Sequence, residues 1–135
     1  MKVVLDTNVI VSGLGWKGKS QKILIHCLDG RFKLVTSPEI IKEIKAVIFR
    51  PKFDFITEDK KNDLINTLFE ISEIVSPDKK IKLSRDPEDD KFIEAAITAK
   101  ASFIVSGDPH LKEIKSYKSI KIVTPAEFLE ILENE

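Results

Sequence analysis

Two acidic residues follow short apolar runs that are typical of buried β-strands. Asp6 comes directly after VVL in the segment LDTN, and Asp108 comes shortly after FIVS in the segment SGD. The carboxyl ends of parallel strands lie at one edge of an open α/β sheet, and ligands bind beyond that edge. Each residue alone also fits a turn or a helix cap. Together they predict two carboxylates that converge at one edge of a sheet.

A glutamate borders the apolar face of a helix predicted in the segment SPEIIKEIKAVI. Ser37 and Pro38 are residue types that begin helices. At about 100° per residue, Glu43 lies about 40° from Val47 on the apolar face, and Glu39 lies about 40° farther toward solvent. Glu43 is therefore a candidate to reach the same sheet edge. An exposed Glu43 that pairs with a nearby lysine or arginine is the alternative.

The segment RDPEDDKFIEAAITAKA predicts another helix, with an acidic start. Asp86 and Pro87 fit the cap and the first helical position, and Glu88 lies in the first turn. At about 100° per residue, Asp89 lies on the centre line of the apolar face, whereas Asp90 lies on its margin. An acid on an apolar face is unusual. We therefore expect Asp89 to point over the sheet edge.

Four carboxylates at one edge would repel one another, and each would raise the pKa of its neighbours. A divalent cation relieves this repulsion. Hard oxygen ligands favour Mg²⁺ or Mn²⁺ over zinc, and such ions activate water and stabilise an in-line phosphoryl displacement. The acids thus predict a Mg²⁺ or Mn²⁺ site suited to phosphoryl chemistry.

The elements that must position these acids alternate between strands and helices. Apolar runs without polar alternation predict parallel strands that are buried on both faces, and the helices between them predict right-handed βαβ units. We expect an α/β fold, a three-layer α/β/α sandwich around a mostly parallel sheet of about five strands. The glycine-rich segment 13–19 predicts a loop or a helix start, and its glycines do not match a phosphate-binding loop. The predicted strands are 2–5, 33–36, 73–76, 102–106 and 120–123, and the predicted helices are 19–29, 38–48, 58–71, 88–100 and 125–133.

The bulk composition limits the classes of protein. The chain has 135 residues, of which 42% are hydrophobic, which fits a single domain over 1–135. Its 22 basic and 22 acidic residues balance, which argues against tight nonspecific binding of nucleic acid but not against an enzyme that binds its substrate through metal ions.

Cys27 is the only cysteine, so neither an intrachain disulfide nor a cysteine-based zinc site is expected. We find no signal peptide and no run near the roughly 20 apolar residues of a membrane span, which predicts a cytoplasmic location.

The ordered motifs resemble the PIN domain family, especially the small single-domain members grouped with VapC-type toxins. The matching pieces are LDTNVIVSG, SPEIIKEIKAVIFRPKF and RDPEDDKFIEAAITAKASFIVSGDPHL. They occur in the order typical of the family and span nearly the whole chain. LDTN alone is a weak motif, whereas the ordered set is fairly specific.

This resemblance implies a Mg²⁺- or Mn²⁺-dependent ribonuclease that acts on RNA. It also implies that the protein could be a toxin held silent by an antitoxin protein, and that it could form a homodimer. Asn8 matches a polar residue that supports the first acid, and Ser106 stands where the family often has threonine. Asp90 is the alternative to Asp89 as the third acid. The metal ligands that the resemblance implies are Asp6, Glu43, Asp89 and Asp108.

Other phosphate-handling α/β classes fit the sequence less well. A receiver domain needs an acidic pair after its first strand and a lysine after its last, but Asp6 has no acidic neighbour and Lys121 lies within the last predicted strand. A haloacid-type phosphatase needs a second acid at position 8, which is Asn8. A non-catalytic PIN-like module that binds RNA or protein is the remaining alternative.

Surface residues suggest how partners could bind. Trp16 could stack a base or pack over the sheet edge. The region 37–70, with its phenylalanines, is the predicted surface for a homodimer. Four basic residues could hold the RNA backbone, although solvated charges need no such role; they are Lys17, Lys19, Arg50 and Lys52.

Overall fold

A computed structural model describes residues 1–135 and contains one six-stranded sheet. The strands are β1 (Lys2–Leu5), β2 (Lys33–Thr36), β3 (Glu73–Ile74), β4 (Phe103–Val105), β5 (Ser116–Tyr117) and β6 (Ile120–Val123). They are ordered β3-β2-β1-β4-β6-β5 across the sheet. All neighbouring strands are parallel except β5, which pairs antiparallel with β6. The two central strands, β1 and β4, are therefore adjacent, and their carboxyl ends lie at the same edge.

Seven α-helices connect and cover these strands. They are α1 (Thr7–Gly15), α2 (Lys19–Leu28), α3 (Pro38–Ile48), α4 (Glu58–Glu70), α5 (Asp90–Ala99), α6 (Pro109–Lys112) and α7 (Pro125–Glu133). Two 3₁₀ turns, Pro51–Phe53 and Pro87–Asp89, precede α4 and α5. None of the helices combines the length and the apolar character needed to cross a membrane.

The central strands are covered on both faces. Val3, Val4 and Leu5 are successive residues of β1 and all are buried. Successive side chains of a strand point to opposite faces of the sheet, so helices must pack on both sides of β1. This confirms the predicted three-layer, mostly parallel α/β architecture. The sheet has six strands rather than about five, because the two-residue β5 is too short to give a periodic signal.

The first helix is the main element that sequence periodicity missed. The glycine-rich segment 13–19 was predicted as a loop or a helix start, whereas α1 runs from Thr7 to Gly15 and α2 begins at Lys19. The β-branched residues Val9, Ile10 and Val11 have modest helix propensity, and all three are buried in α1. Tertiary burial together with the cap at Asp6 therefore outweighs local propensity here.

A close approach between α1 and α2 depends on Gly13. A Cβ atom at this position would lie 2.6 Å from the Leu24 Cδ1 atom and 2.8 Å from the Ser20 carbonyl oxygen. We expect Gly13→Ala to lower the free energy of unfolding by about 1–3 kcal/mol, because overpacking forces neighbouring groups to shift. Chemical denaturation measures this effect. Gly107→Ala is the control, since a Cβ there meets open space, and equal midpoints for the two variants would contradict the prediction.

Candidate active site

Asp6 lies at the carboxyl end of β1 and begins α1. Its side chain is buried: the Oδ1 atom accepts a hydrogen bond from the Val9 amide nitrogen at 2.8 Å, and the Oδ2 atom accepts one from the Ser106 hydroxyl. The Asp6 amide nitrogen donates to the Val105 carbonyl oxygen of β4 at 3.1 Å. Strand pairing and helix capping together fix this carboxylate at the sheet edge.

Ser106 joins the two strand-end acids. It directly follows β4 and is fully buried. Its hydroxyl donates to Asp6 and accepts a hydrogen bond from the Asp108 amide nitrogen at 3.0 Å. Asp108 in turn caps α6, since its Oδ1 atom accepts from the His110 amide nitrogen at 2.7 Å. The structure thus brings Asp6 and Asp108 together around one buried hydroxyl group.

Asp89 faces this pair from the 3₁₀ turn before α5. Its Oδ2 atom lies 3.9 Å from the Nδ1 atom of His110, and the Oδ1 atom of Asp108 lies 3.3 Å from the same nitrogen. The Asp89 Oδ2 atom is buried and has no hydrogen-bond partner. An orphaned carboxylate oxygen beside two other acids is a vacant acceptor that a cation can use.

Two residues near Asp89 were not among the predicted metal ligands. Asp86 was interpreted as a cap, and its Oδ1 atom does accept a hydrogen bond from the Glu88 amide nitrogen at 3.0 Å. One ligand atom from each of Asp86, Asp89 and His110 lies within 4.8 Å of the other two. The SGDP segment before His110 was the only sequence signal that this imidazole reaches the site.

Asp90 points elsewhere and secures the preceding loop. It is buried, and its Oδ1 atom accepts hydrogen bonds from the amide nitrogens of Leu83 at 3.2 Å and Ser84 at 2.7 Å. The helical wheel put Asp89 on the apolar centre line and Asp90 on the margin. Residues 87–89 form a 3₁₀ turn, so the α-helical phase does not extend back to Asp89, and Asp90 is the more buried of the two.

Glu43 reaches the site from α3 and pairs with a buried lysine. The side chain of Lys91 on α5 is only 4% exposed and forms a salt bridge with Glu43, which is 32% exposed. Glu39 turns away, and its carboxylate lies 3.8 Å from the Nζ atom of the exposed Lys80. Glu43 therefore has a cationic partner across the helix interface. Sequence spacing could not identify Lys91, because the pairing depends on how α3 packs against α5.

The acids share one electrostatic environment. Burial raises the pKa of Asp6 above 3.8, and the hydrogen bonds from Ser106 and Val9 oppose this rise. The carboxylates of Asp108 and Glu43 raise the pKa of Asp6 further. Like charges within a few ångströms make ionisation costly. Asp6, Glu43 and Asp108 thus belong to one repulsive cluster.

The same repulsion extends to Asp89. Burial and the charges of Asp108 and Asp86 raise the pKa of Asp89 to about 6, while Lys91 and His110 act in the opposite direction. Apart from the imidazole of His110, the donors are carboxylate oxygens, and one of these oxygens is buried without a hydrogen-bond partner; such a donor set fits a hard divalent cation. No side chain here suits a thiolate-type site.

The structure also places the other residues that the sequence singled out. Asn8 is exposed in the first turn of α1, and Asp6 takes its hydrogen bonds from other groups. Trp16 packs on Phe53 and Phe55 with ring centroids 5.2 and 5.8 Å apart, respectively. A depression of about 400 Å³ includes Trp16, Lys17, Lys19 and Thr124, which directly follows β6. Arg50 and Lys52 are exposed, and the Lys52 Nζ atom lies 5.9 Å from the Trp16 ring centroid.

Comparisons with known proteins agree with this architecture. The sequence model of the PIN domain matches residues 2–110, and the chain belongs to the PIN domain family. It is 33% identical over 144 residues to the uncharacterized protein MJ1680 of Methanocaldococcus jannaschii, with 98% of this chain and 92% of that protein covered. Among solved structures it resembles a chain in the crystal structure of VapBC2 from Rickettsia felis bound to a DNA fragment from their promoter. That match has a TM-score of 0.60 and 15% identity, covers 92% of this chain and 98% of the other, and shows a shared fold.

Proposed function

We propose that this protein is a metal-dependent ribonuclease that hydrolyses phosphodiester bonds in single-stranded or structured RNA. The observation that carries the proposal is the convergence of Asp6, Asp89 and Asp108 at one sheet edge, with Glu43 beside them, in a member of the PIN domain family. The experiment that tests it is cleavage of a labelled single-stranded RNA with Mn²⁺ or Mg²⁺, with and without chelator.

The proposed metal site consists of Asp6, Glu43, Asp89 and Asp108. Its fit to Mg²⁺ or Mn²⁺ is supported by the raised pKa values of Asp6 and Asp89 and by the orphaned Oδ2 atom of Asp89. A divalent ion held by these residues would polarise a phosphate oxygen and lower the pKa of a water molecule. Ser106 orients Asp6 through its hydroxyl.

The protein groups also hold the site in shape without the ion. Asp6 and Asp108 are fixed as helix caps, so each carboxylate is held in a defined orientation at the end of its strand. Such preorganisation lets the charged groups act without rearranging when the substrate binds. Asp90 contributes indirectly in this proposal, by holding residues 83 and 84 next to the turn that carries Asp89.

RNA is proposed to pass over the depression beside Trp16. We expect the double variant Lys17→Ala/Lys19→Ala to weaken RNA binding and to lower the salt dependence of log K by about 1–2, because each lost phosphate contact removes roughly one released counterion. The turnover number should change little. Fluorescence anisotropy over a salt series measures binding. Lys33→Ala is the control, since Lys33 is exposed at the amino end of β2, the opposite edge of the sheet. An unchanged salt slope in the double variant would move the RNA path elsewhere.

An antitoxin protein is proposed as a partner, supported by the fold shared with a chain of VapBC2 and by the resemblance to VapC-type toxins. Co-expression with a small protein encoded next to this gene tests it, since such a partner should co-purify and block RNA cleavage.

A homodimer through 37–70 also stays a prediction; Phe49 and Phe55 are exposed there, whereas Phe53 is buried. Light scattering that gives a monomer at high concentration would contradict it. The cytoplasmic location also stays a prediction.

A further inference from the structure

We propose that Lys91 serves as a built-in counter-ion for Glu43, so that the acidic cluster binds one divalent cation rather than two. This changes the proposed four-acid site in one respect: Glu43 holds an ammonium group and is not a metal ligand, while the three aspartates hold the ion. The inference rests on the proposed function only in requiring that the cluster binds a divalent ion.

The contacts of Lys91 show that its ammonium group belongs to the site. Besides the salt bridge to Glu43, the Nζ atom donates to the Glu88 carbonyl oxygen at 2.5 Å and lies 3.6 Å from the Glu88 Oε2 atom. It also lies 5.1 Å from the Phe92 ring centroid. A buried ammonium group needs such partners to stay charged. Lys91 is thus held by the 3₁₀ turn before α5 on one side and by α3 on the other.

The burial of Lys91 disfavours its replacement by a metal ion as the partner of Glu43. Its side chain is 4% exposed, so a move into water would require the packing around it to open. If a metal ion bound Glu43, the Lys91 ammonium group would keep only the Glu88 carboxylate as an anionic partner. That carboxylate is 82% exposed, so its interaction with Lys91 is weak and screened by solvent. A buried charge that loses its partner is strongly unfavourable. Glu43 is consequently committed to Lys91.

The charge balance of the cluster leads to the same result. Counting only the four proposed carboxylates and Lys91, one divalent cation leaves a single net negative charge, and a second would make this set positive before any substrate arrives. Without Lys91, two divalent cations neutralise the four carboxylates. The salt bridge already supplies Glu43 with a positive partner, so Lys91 performs for Glu43 what a second ion would otherwise perform.

The experiment counts bound Mn²⁺ by the electron paramagnetic resonance signal of the free ion, with melting temperatures recorded in parallel. We expect one Mn²⁺ per chain in the wild type and in Lys91→Arg, and two in Lys91→Met. The metal-free Lys91→Met protein should melt below the wild type and gain more from Mn²⁺. Lys61→Met is the matched control, because Lys61 is also buried but its Nζ atom lies over the Phe49 ring, 5.0 Å from the centroid. It should bind one Mn²⁺.

The double variant Glu43→Gln/Lys91→Met keeps the test decisive even if Lys91→Met does not fold, because it removes both charges together. It should bind one Mn²⁺ with wild-type affinity. More than a tenfold loss of affinity would overturn the inference, since Glu43 would then be a metal ligand. One Mn²⁺ in folded Lys91→Met, or two in the wild type, would also overturn it while leaving the metal-dependent function standing. No Mn²⁺ binding by the wild type would overturn both proposals.

Discussion

Replacing Asp6 and Asp108 by asparagine should abolish metal-dependent RNA cleavage while the fold persists. Asparagine caps helices about as well as aspartate, so its oxygen can accept the hydrogen bonds that Val9 and His110 now donate to the two carboxylates. The lost charges are those that the cation needs. A divalent ion stabilises the transition state by several kcal/mol, and about 1.4 kcal/mol corresponds to a factor of ten in rate. We therefore expect activity to fall by about a hundredfold or more.

Two measurements check this expectation. Cleavage of labelled RNA is compared between the wild type, each single variant and the double variant, with a chelator-treated sample as the baseline. Thermal unfolding with Mn²⁺ should raise the wild-type melting temperature by about 10 °C at a hundredfold excess over Kd, and the double variant should show no rise. Asp63→Asn is the control, because Asp63 is exposed on α4. An undiminished rise in the double variant would locate the metal elsewhere.

The position of two acids at the ends of predicted parallel strands was enough to predict the core of this site from the sequence. The apolar runs before Asp6 and Asp108 predicted buried strands, and neighbouring parallel strands end at the same edge of a sheet. In the structure, β1 and β4 are adjacent and parallel. Asp6 and Asp108 also act as the helix caps that their residue types suggested. Both roles coexist, because each cap residue lies at the carboxyl end of its strand, which is the edge where the acids converge.

The parts that could not be predicted depend on geometry between elements or on a local departure from helix geometry. The 3₁₀ turn at Pro87–Asp89 changes the angle between Asp89 and Asp90, and a wheel with α-helical spacing cannot represent it. The pairing of Glu43 with Lys91 requires the docking of α3 on α5. Hydrophobic periodicity describes one element at a time, so it carries no information about such contacts.

The pairing of Glu43 with Lys91 changes what Glu43→Gln should do. If Glu43 were only a metal ligand, this substitution would reduce activity with little loss of fold. In the structure it removes the main counter-ion of a buried lysine. Breaking a buried pair costs about 3–5 kcal/mol, and the partial exposure of Glu43 reduces this figure toward the surface range. Activity loss in Glu43→Gln is therefore interpretable only beside a measurement of its stability.

Asp89→Asn should remove most of the ribonuclease activity and yet make the metal-free protein more stable at pH 7. In the folded state the pKa of Asp89 is raised from 3.8 to about 6, so the folded chain holds this proton more tightly than the unfolded chain. Stability from this group is therefore present below about pH 4, falls as the pH rises toward 6, and stays low above it. Asparagine cannot ionise, so the variant does not lose stability as the pH rises through this range.

Thermal unfolding in chelator at pH 4 and pH 7, together with RNA cleavage at pH 7, measures both effects. The metal-free variant should melt a few degrees above the wild type at pH 7 and at the same temperature near pH 4, and with Mn²⁺ the order at pH 7 should reverse. Asp90→Asn is the matched comparison: its oxygen can still accept from Leu83 and Ser84, so activity and stability should change little. If Asp90→Asn loses more activity than Asp89→Asn, the third acid is Asp90. If Asp89→Asn instead melts below the wild type in chelator at pH 7, the Asp89 carboxylate does not carry the repulsion that the acidic cluster requires.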